Sequence, residues 1–188
     1  MIGHDWGAAV AWWLALRHPE RVERLVILNV PHPAVMHRHL RRSLTQLRKS
    51  WYMCVFQLPW LPEASCRWGD WWTVVRAMRA SRRRGTFTAE DFERYRTAWS
   101  QPQAFRSMIH RYRAAWRNPP ETPRDIRIHV PMVIIWETRE KFLNRTLAEP
   151  SLELCDNRRL VVLEEATHWV QHEEPEQVNA LILDHFAS

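Results

Sequence analysis

Glycine is scarce in this sequence, with 4 among 188 residues, which excludes a glycine-rich phosphate loop and a flexible glycine linker. Cysteine is rarer still. The three cysteines, Cys54, Cys66 and Cys155, are odd in number and share no metal-ligand or redox spacing. They fit reduced thiols in a cytoplasmic protein rather than a disulfide framework. No signal peptide opens the chain, and no apolar run reaches the roughly 20 residues of a membrane span, so stable membrane insertion is not expected. Internal repeats and low-complexity segments are missing. So are zinc-ligand spacing, a helix-turn-helix signature and an RNA-binding aromatic motif. No metal or organic cofactor is implied.

What is present is a globular composition, 46% hydrophobic and 26% charged, in a length that suits one core with a small subdomain. Tryptophan is abundant at 12 residues, as fits a chain that packs large aromatics into a core and around an apolar pocket. The net charge is +6, with basic clusters from Arg38 to Lys49 and from Arg82 to Arg84. These fall on segments that read as helix faces, so a solvated arginine-rich surface is favoured over a nucleic-acid surface.

The pattern along the chain is α/β interrupted by helices. Trp6 to His18 is alanine- and leucine-rich and reads as a helix stopped by Pro19. Leu25 to Leu28 (LVIL) is a short apolar run of the kind a buried parallel strand shows. After Pro31-His32-Pro33 the signals are helical as far as about Pro120. Leu40, Leu44 and Leu47 recur at helical spacing, and further helices are expected over 70–80, 89–99 and 103–116. Thr88 and Asp91 have the spacing of a capping box. Strands return at 131–136 and 160–163, with a short helix at 150–155 between them. A last helix follows Pro175, with Val178, Leu181, Ile182 and Phe186 on one face. The expected domains are therefore a core of residues 1–33 and 122–188 and an inserted all-helical cap, 34–121.

The chemistry is concentrated at the start. Gly3-x-Asp5-x-Gly7 has the spacing of a nucleophile elbow, in which a strand turns sharply into a helix and holds the middle side chain at the apex. The flanking glycines are expected to avoid collisions at that turn. An aspartate at the apex is already ionised at neutral pH and can attack a saturated carbon without a general base, forming an enzyme-bound ester. His168 lies after a strand and before the last helix, an expected place for a catalytic base.

The stretch Gly3-His4-Asp5-Trp6-Gly7 resembles the elbow of the epoxide hydrolases and haloalkane dehalogenases of the α/β-hydrolase superfamily. Asn29-Val30-Pro31-His32-Pro33, Phe56-Gln57-Leu58-Pro59-Trp60, Ser100-Gln101-Pro102, Tyr112-Arg113 and Thr167-His168-Trp169 extend the resemblance to cap-bearing epoxide hydrolases along the whole chain. It implies an α/β-hydrolase fold and the order nucleophile, acid, histidine. It also implies conversion of a small apolar or aromatic epoxide and water to a diol. In that reading Asp5 forms the ester. Tyr52 and Tyr112, two of the three tyrosines, stabilise the departing oxygen. His168 activates water, and the backbone N–H of Trp6 supplies an oxyanion donor, its indole lining the pocket.

Two departures from the family pattern stand out. Where the family has Trp-Gly-x-x-Asp, this chain has Trp136-Glu137-Thr138-Arg139-Glu140. Glu140 takes the place of the acid with one extra methylene. Second, only Met1 and Ile2 precede the elbow, so the earlier strands and their His-Gly-x-Pro loop are not in this sequence. The resemblance then implies a C-terminal part of a family member, with low stability and weak or no turnover. The same residues are also compatible with a haloalkane dehalogenase and with a non-catalytic hydrolase remnant that binds ligands or a partner subunit.

Overall fold

A computed structural model of the chain describes residues 1–42, 51–139 and 142–188. These residues divide into two compact units, one from Met1–Leu47 with Thr122–Ser188 and the other from Arg48–Glu121. Leu44, Leu47 and Glu140 lie outside the described residues.

The first unit is built on a parallel sheet of four strands among the described residues, β1 (Ile2–His4), β2 (Leu25–Leu28), β3 (Met132–Glu137) and β4 (Arg158–Leu163), in the spatial order β1-β2-β3-β4. The sequence suggests almost no elbow strand, yet three residues suffice. Ile2, Gly3 and His4 pair in register with Val26, Ile27 and Leu28. β2 and β3 are apolar at nearly every position because both faces of the sheet are covered. Leu25 and Ile27 join Met132, Ile134 and Trp136 in one core cluster, while Val26 and Leu28 join Val133 and Ile135 in the other. The alternation is the pleat itself, since successive side chains point to opposite faces.

Helix α1 (Trp6–Arg17) follows the elbow and buries Ala8, Ala11, Trp12 and Ala15 against the first of these clusters. Its small side chains let it lie close to the sheet. A 3-10 turn, Pro19–Arg21, ends it where the proline was expected to. Helix α2 (Pro33–Arg42) leaves the end of β2 and contributes Val35 to the same cluster.

The regular elements described in the second unit are all helices: α3 (Trp51–Val55), α4 (Leu61–Ala80), α5 (Ala89–Ser100) and α6 (Ala104–Arg117). The capping box at the start of α5 is formed, with the Thr88 hydroxyl accepting from Asp91 N and the Asp91 carboxylate accepting from Thr88 N. Helix α4 is two helical pieces joined at Trp68–Trp71, where Gly69, Asp70 and Trp71 all have positive φ. Burial of an aromatic cluster opposes that backbone cost. The Trp71 ring packs on Trp99 and Phe105, and its indole N–H donates to Ser100 Oγ at 3.0 Å.

Back in the first unit, α7 (Ala148–Leu152) precedes β4, and α8 (Val170–Glu173) and α9 (Pro175–Ala187) close the chain. On α9, Val178 is buried and Leu181 and Ile182 pack against the core, as their spacing suggests. Phe186 does not join them; it is 43% exposed in the last turn of the helix. No described helix is long and apolar enough to cross a membrane.

Candidate active site

In the first unit the carboxyl ends of all four strands carry polar residues that the fold brings together. Asp5 follows β1, Asn29 follows β2, Glu137 ends β3 and His168 lies in the loop after β4. This is the edge at which open parallel sheets place their ligands. At the amino ends of β2, β3 and β4, a cavity of about 400 Å³ is lined by Arg24, Pro131, Met132, Arg158 and His185, among others, at the opposite end of the strands from these groups.

Asp5 sits at the strained apex with φ 49° and ψ −124°, a conformation that a residue with a Cβ adopts at a cost of roughly 1–3 kcal/mol. Its carbonyl accepts from Ala8 N and Ala9 N at 3.0 and 3.1 Å, which starts α1. The Asp5 side chain makes no cap bond to the helix, so the carboxylate is left at the positive end of α1 beside the first helical N–H groups. Trp6 is the first residue of that helix and is half-buried.

Gly3 has the steric role expected of it. A Cβ there would stand 2.6 Å from both the Ala8 Cα and the Gly7 carbonyl oxygen. The expectation fails at Gly7, where an added Cβ meets nothing within 4 Å. That glycine lies on the exposed side of the first turn of α1.

His168 is buried, and three contacts fix its loop. Its carbonyl oxygen accepts from His4 Nε2 at 2.8 Å and from Asn29 Nδ2 at 2.9 Å. A carbonyl can only accept, so His4 carries its proton on Nε2, and its Nδ1 receives Gln171 Nε2 at 3.3 Å. The neighbouring Thr167 donates from its backbone and its hydroxyl to the buried Glu173 carboxylate, at 2.7 and 2.8 Å. The His168 ring meets those of His4, Phe142 and Trp169 at centroid distances of 4.9, 5.0 and 5.4 Å.

The loop that carries Glu140 is tied to this one on both flanks. Thr138 N donates to Leu163 O and Arg139 N to Ala166 O, each at 3.3 Å, and the Arg139 guanidinium pairs with Glu165 at 2.6 Å. On the far side of Glu140, the Phe142 ring lies against His168. Glu137, in place of the expected glycine, is fully buried at the end of β3.

In the second unit, Tyr52 on α3 and Tyr112 on α6 are brought together. Their ring centroids are 5.9 Å apart, and both rings meet Phe56, at 5.7 and 4.9 Å.

Several of these residues escape a reading of sequence alone. His4, Asn29 and Glu173 act on backbone groups of the His168 loop, and Gln171 acts on the His4 ring; such bonds leave no spacing signal. The one clue is position: His4 stands inside the elbow motif and Asn29 at the end of a strand.

No group of three or more acidic, histidine or cysteine side chains among the described residues is arranged to hold a metal ion. A further buried histidine, His32, belongs to the core: its ring meets Trp12, and Nδ1 accepts from Ala34 N at 3.2 Å. Burial pushes its pKa down to about 4, and the Ile126 carbonyl opposes this only partly, falling short of a hydrogen bond to Nε2.

The sequence profile of the alpha/beta hydrolase family matches residues 1–181. The "AB hydrolase superfamily protein YfhM" of Bacillus subtilis is 43% identical over 185 residues, which cover 98% of this chain and 64% of that protein. "Epoxide hydrolase 4" of Homo sapiens is 35% identical over 97% of this chain and 51% of its own length. The chain thus spans between about half and two thirds of these relatives. Among solved structures, the epoxide hydrolase from Bacillus megaterium in complex with an inhibitor superposes with a TM-score of 0.85 at 27% identity, over 100% of this chain and 68% of that one. Epoxide Hydrolase A from Mycobacterium thermoresistibile gives a TM-score of 0.80 at 26% identity, again over 100% and 68%.

Proposed function

The chain belongs to the alpha/beta hydrolase family, and we propose that its chemistry is the opening of an epoxide to a diol through an ester on Asp5. The observation that carries this reading is the strained aspartate apex beside a histidine loop hydrogen-bonded to His4, the residue immediately before the apex. Relatives named as epoxide hydrolases support the substrate class.

In this proposal one Asp5 carboxylate oxygen attacks an epoxide carbon, and the carbon–oxygen bond of the ring breaks. The departing oxygen is stabilised by the hydroxyls of Tyr52 and Tyr112, in a unit that acts as the cap. His168, oriented by Glu140, takes a proton from water, and the resulting hydroxide attacks the ester carbonyl carbon. The Trp6 N–H meets the oxyanion that develops on Asp5. Collapse expels the ester oxygen, His168 returns its proton so that both oxygens of the released diol are protonated, and the Asp5 carboxylate is restored. The aromatic residues of the helical unit favour an apolar or aromatic epoxide. The three free thiols suit a cytoplasmic setting.

The test is a single turnover with excess protein in ¹⁸O-labelled water. The first diol should carry no label, because its new oxygen comes from Asp5, and the label should appear in the Asp5 peptide. Label in the first diol would mean direct attack by water and would reject the ester. Halide release from a haloalkane without diol formation would assign the chain to dehalogenation instead.

A further inference from the structure

In the helical unit, the guanidinium of Arg113 is engaged on all sides. Nη1 and Nη2 form a two-pronged pair with the Glu63 carboxylate at 2.6 and 3.0 Å. Nε donates to Phe56 O at 2.8 Å, and Nη2 donates also to Leu58 O at 2.6 Å. Arg117, one turn further along α6, donates to Gln57 O at 3.3 Å. Three successive carbonyls just beyond α3 are therefore held by two arginines of α6. Gln57 completes the tie from the other side, its Nε2 lying 3.2 Å from Met53 O and 3.3 Å from Tyr112 O.

The position of this clamp in the chain gives it its meaning. Arg113 is next to Tyr112, and the carbonyls it grips begin at Phe56, whose ring packs against both Tyr52 and Tyr112. A carboxylate pairs with a guanidinium in one plane, so the orientation of Arg113 is fixed rather than merely attracted. The Arg113 and Glu63 side chains are only 12% and 16% exposed, which limits screening by water. Burial works against ionisation of Glu63, but the Arg113 hydrogen bonds outweigh it and hold the carboxyl below its usual range.

We propose that Arg113, braced by Glu63, is the positioning residue that sets the spacing of Tyr52 and Tyr112 so that both hydroxyls converge on one substrate oxygen. This rests on the reading of the two tyrosines as donors to the opening ring. Neither Arg113 nor Glu63 touches substrate in the proposal. Their effect is on geometry, where a displacement of about 1 Å costs on the order of 100-fold in rate.

The chain's three tyrosines make the test direct. The full 188-residue chain is labelled with 3-fluorotyrosine. Tyr95, stacked on Trp99 within α5, serves as the internal reference. Glu63→Gln keeps the volume and removes the charge, and Arg113→Lys keeps the charge and removes the fork. In both variants the fluorine resonances and phenol titrations of Tyr52 and Tyr112 should move together while those of Tyr95 stay fixed. In single turnover on an aryl glycidyl ether, ring opening should slow by roughly 10–100-fold, with KM little changed and ester hydrolysis as in the parent.

Unchanged Tyr52 and Tyr112 signals overturn the proposal. So does a shift of Tyr95 with the pair, because the clamp would then hold the whole unit rather than the two phenols. A parent chain that makes no diol defeats the donor reading, and the fluorine signals alone then decide the clamp. A parent that turns over, alongside a Glu63→Gln variant with parental ring opening, defeats the clamp alone.

Discussion

His4 Nε2 donates to the carbonyl oxygen of His168 at 2.8 Å, joining the residue beside the elbow apex to a loop 164 positions further along the chain. Asn29 Nδ2 donates to the same oxygen, and Glu173 holds the neighbouring Thr167. The histidine loop is thus anchored by its backbone from β1, from the end of β2 and from α8. Its placement does not depend on the protonation of its own ring, as the water-activating role proposed for His168 would require.

Removing these donors should therefore affect the histidine step selectively. In His4→Ala and in Asn29→Ala, ester hydrolysis is expected to fall by about 10–100-fold while ring opening stays near the parental rate. The double variant should lose less than the product of the two, because both donors serve one oxygen. Rapid-quench measurement of ester formation and decay separates the steps. Equal slowing of both steps would mean that His4 and Asn29 support the elbow as a whole.

The two elbow glycines should respond oppositely to alanine. At Gly3 the new methyl group meets the backbone of Ala8 and Gly7 at 2.6 Å, so Gly3→Ala is expected to cost about 1–3 kcal/mol and to displace Asp5. At Gly7 there is open space within the first turn of α1, and Gly7→Ala should be neutral or stabilise by up to about 1 kcal/mol through a better helix former. Urea unfolding of the two variants checks this. A destabilised Gly7→Ala protein would show that the second glycine carries a constraint unrelated to sterics.

Acid should weaken the first unit through His32. Its pKa is pushed down to about 4 by burial, against an unfolded value near 6.5. Between those values the unfolded chain binds the proton and the folded chain does not, so stability rises with pH across the window and is lost as pH falls from 6.5 toward 4. The full effect is about 3 kcal/mol. His185 is shifted the same way, chiefly by burial, and adds to the trend. Unfolding free energies measured over this range should fall for the parent and fall less for His32→Gln. Identical slopes would remove His32 as the cause.

The parts of the fold legible in the sequence are those whose neighbours are all apolar. LVIL and the run ending at Trp136 read as buried strands because both faces of the sheet are covered, and Pro19 marks the helix end through its own ring. The elbow is legible because backbone strain restricts residue choice, though the motif overstates the need at Gly7. Asn29 carries no charge and so offers no catalytic signature in the sequence, yet it serves as a neutral donor to a carbonyl. Phe186 has the right helical spacing but lies in the last turn of α9, and periodicity does not register the end of a helix. The Arg113–Glu63 pair spans 50 positions with no shared motif, so only the folded chain brings it into view.

The orienting role proposed for Glu140 is open to a direct test. The residues on each side of it engage the His168 loop, Arg139 through its N–H to Ala166 O and Phe142 through its ring on His168. An acid delivered there would orient the imidazole and stabilise its charged form, which is needed only when water is activated. Glu140→Gln should therefore leave ring opening intact and let the Asp5 ester accumulate, with hydrolysis slowed by ~1,000-fold or more, as when a triad loses its carboxylate. Glu140→Asp tests the reach of the longer side chain: the shorter acid should recover part of the rate only if the loop can close by about an ångström. Mass spectrometry of the trapped ester reads both outcomes. If Glu140→Gln hydrolyses the ester at the parental rate while Glu137→Gln does not, the orienting acid is the buried carboxylate at the end of β3.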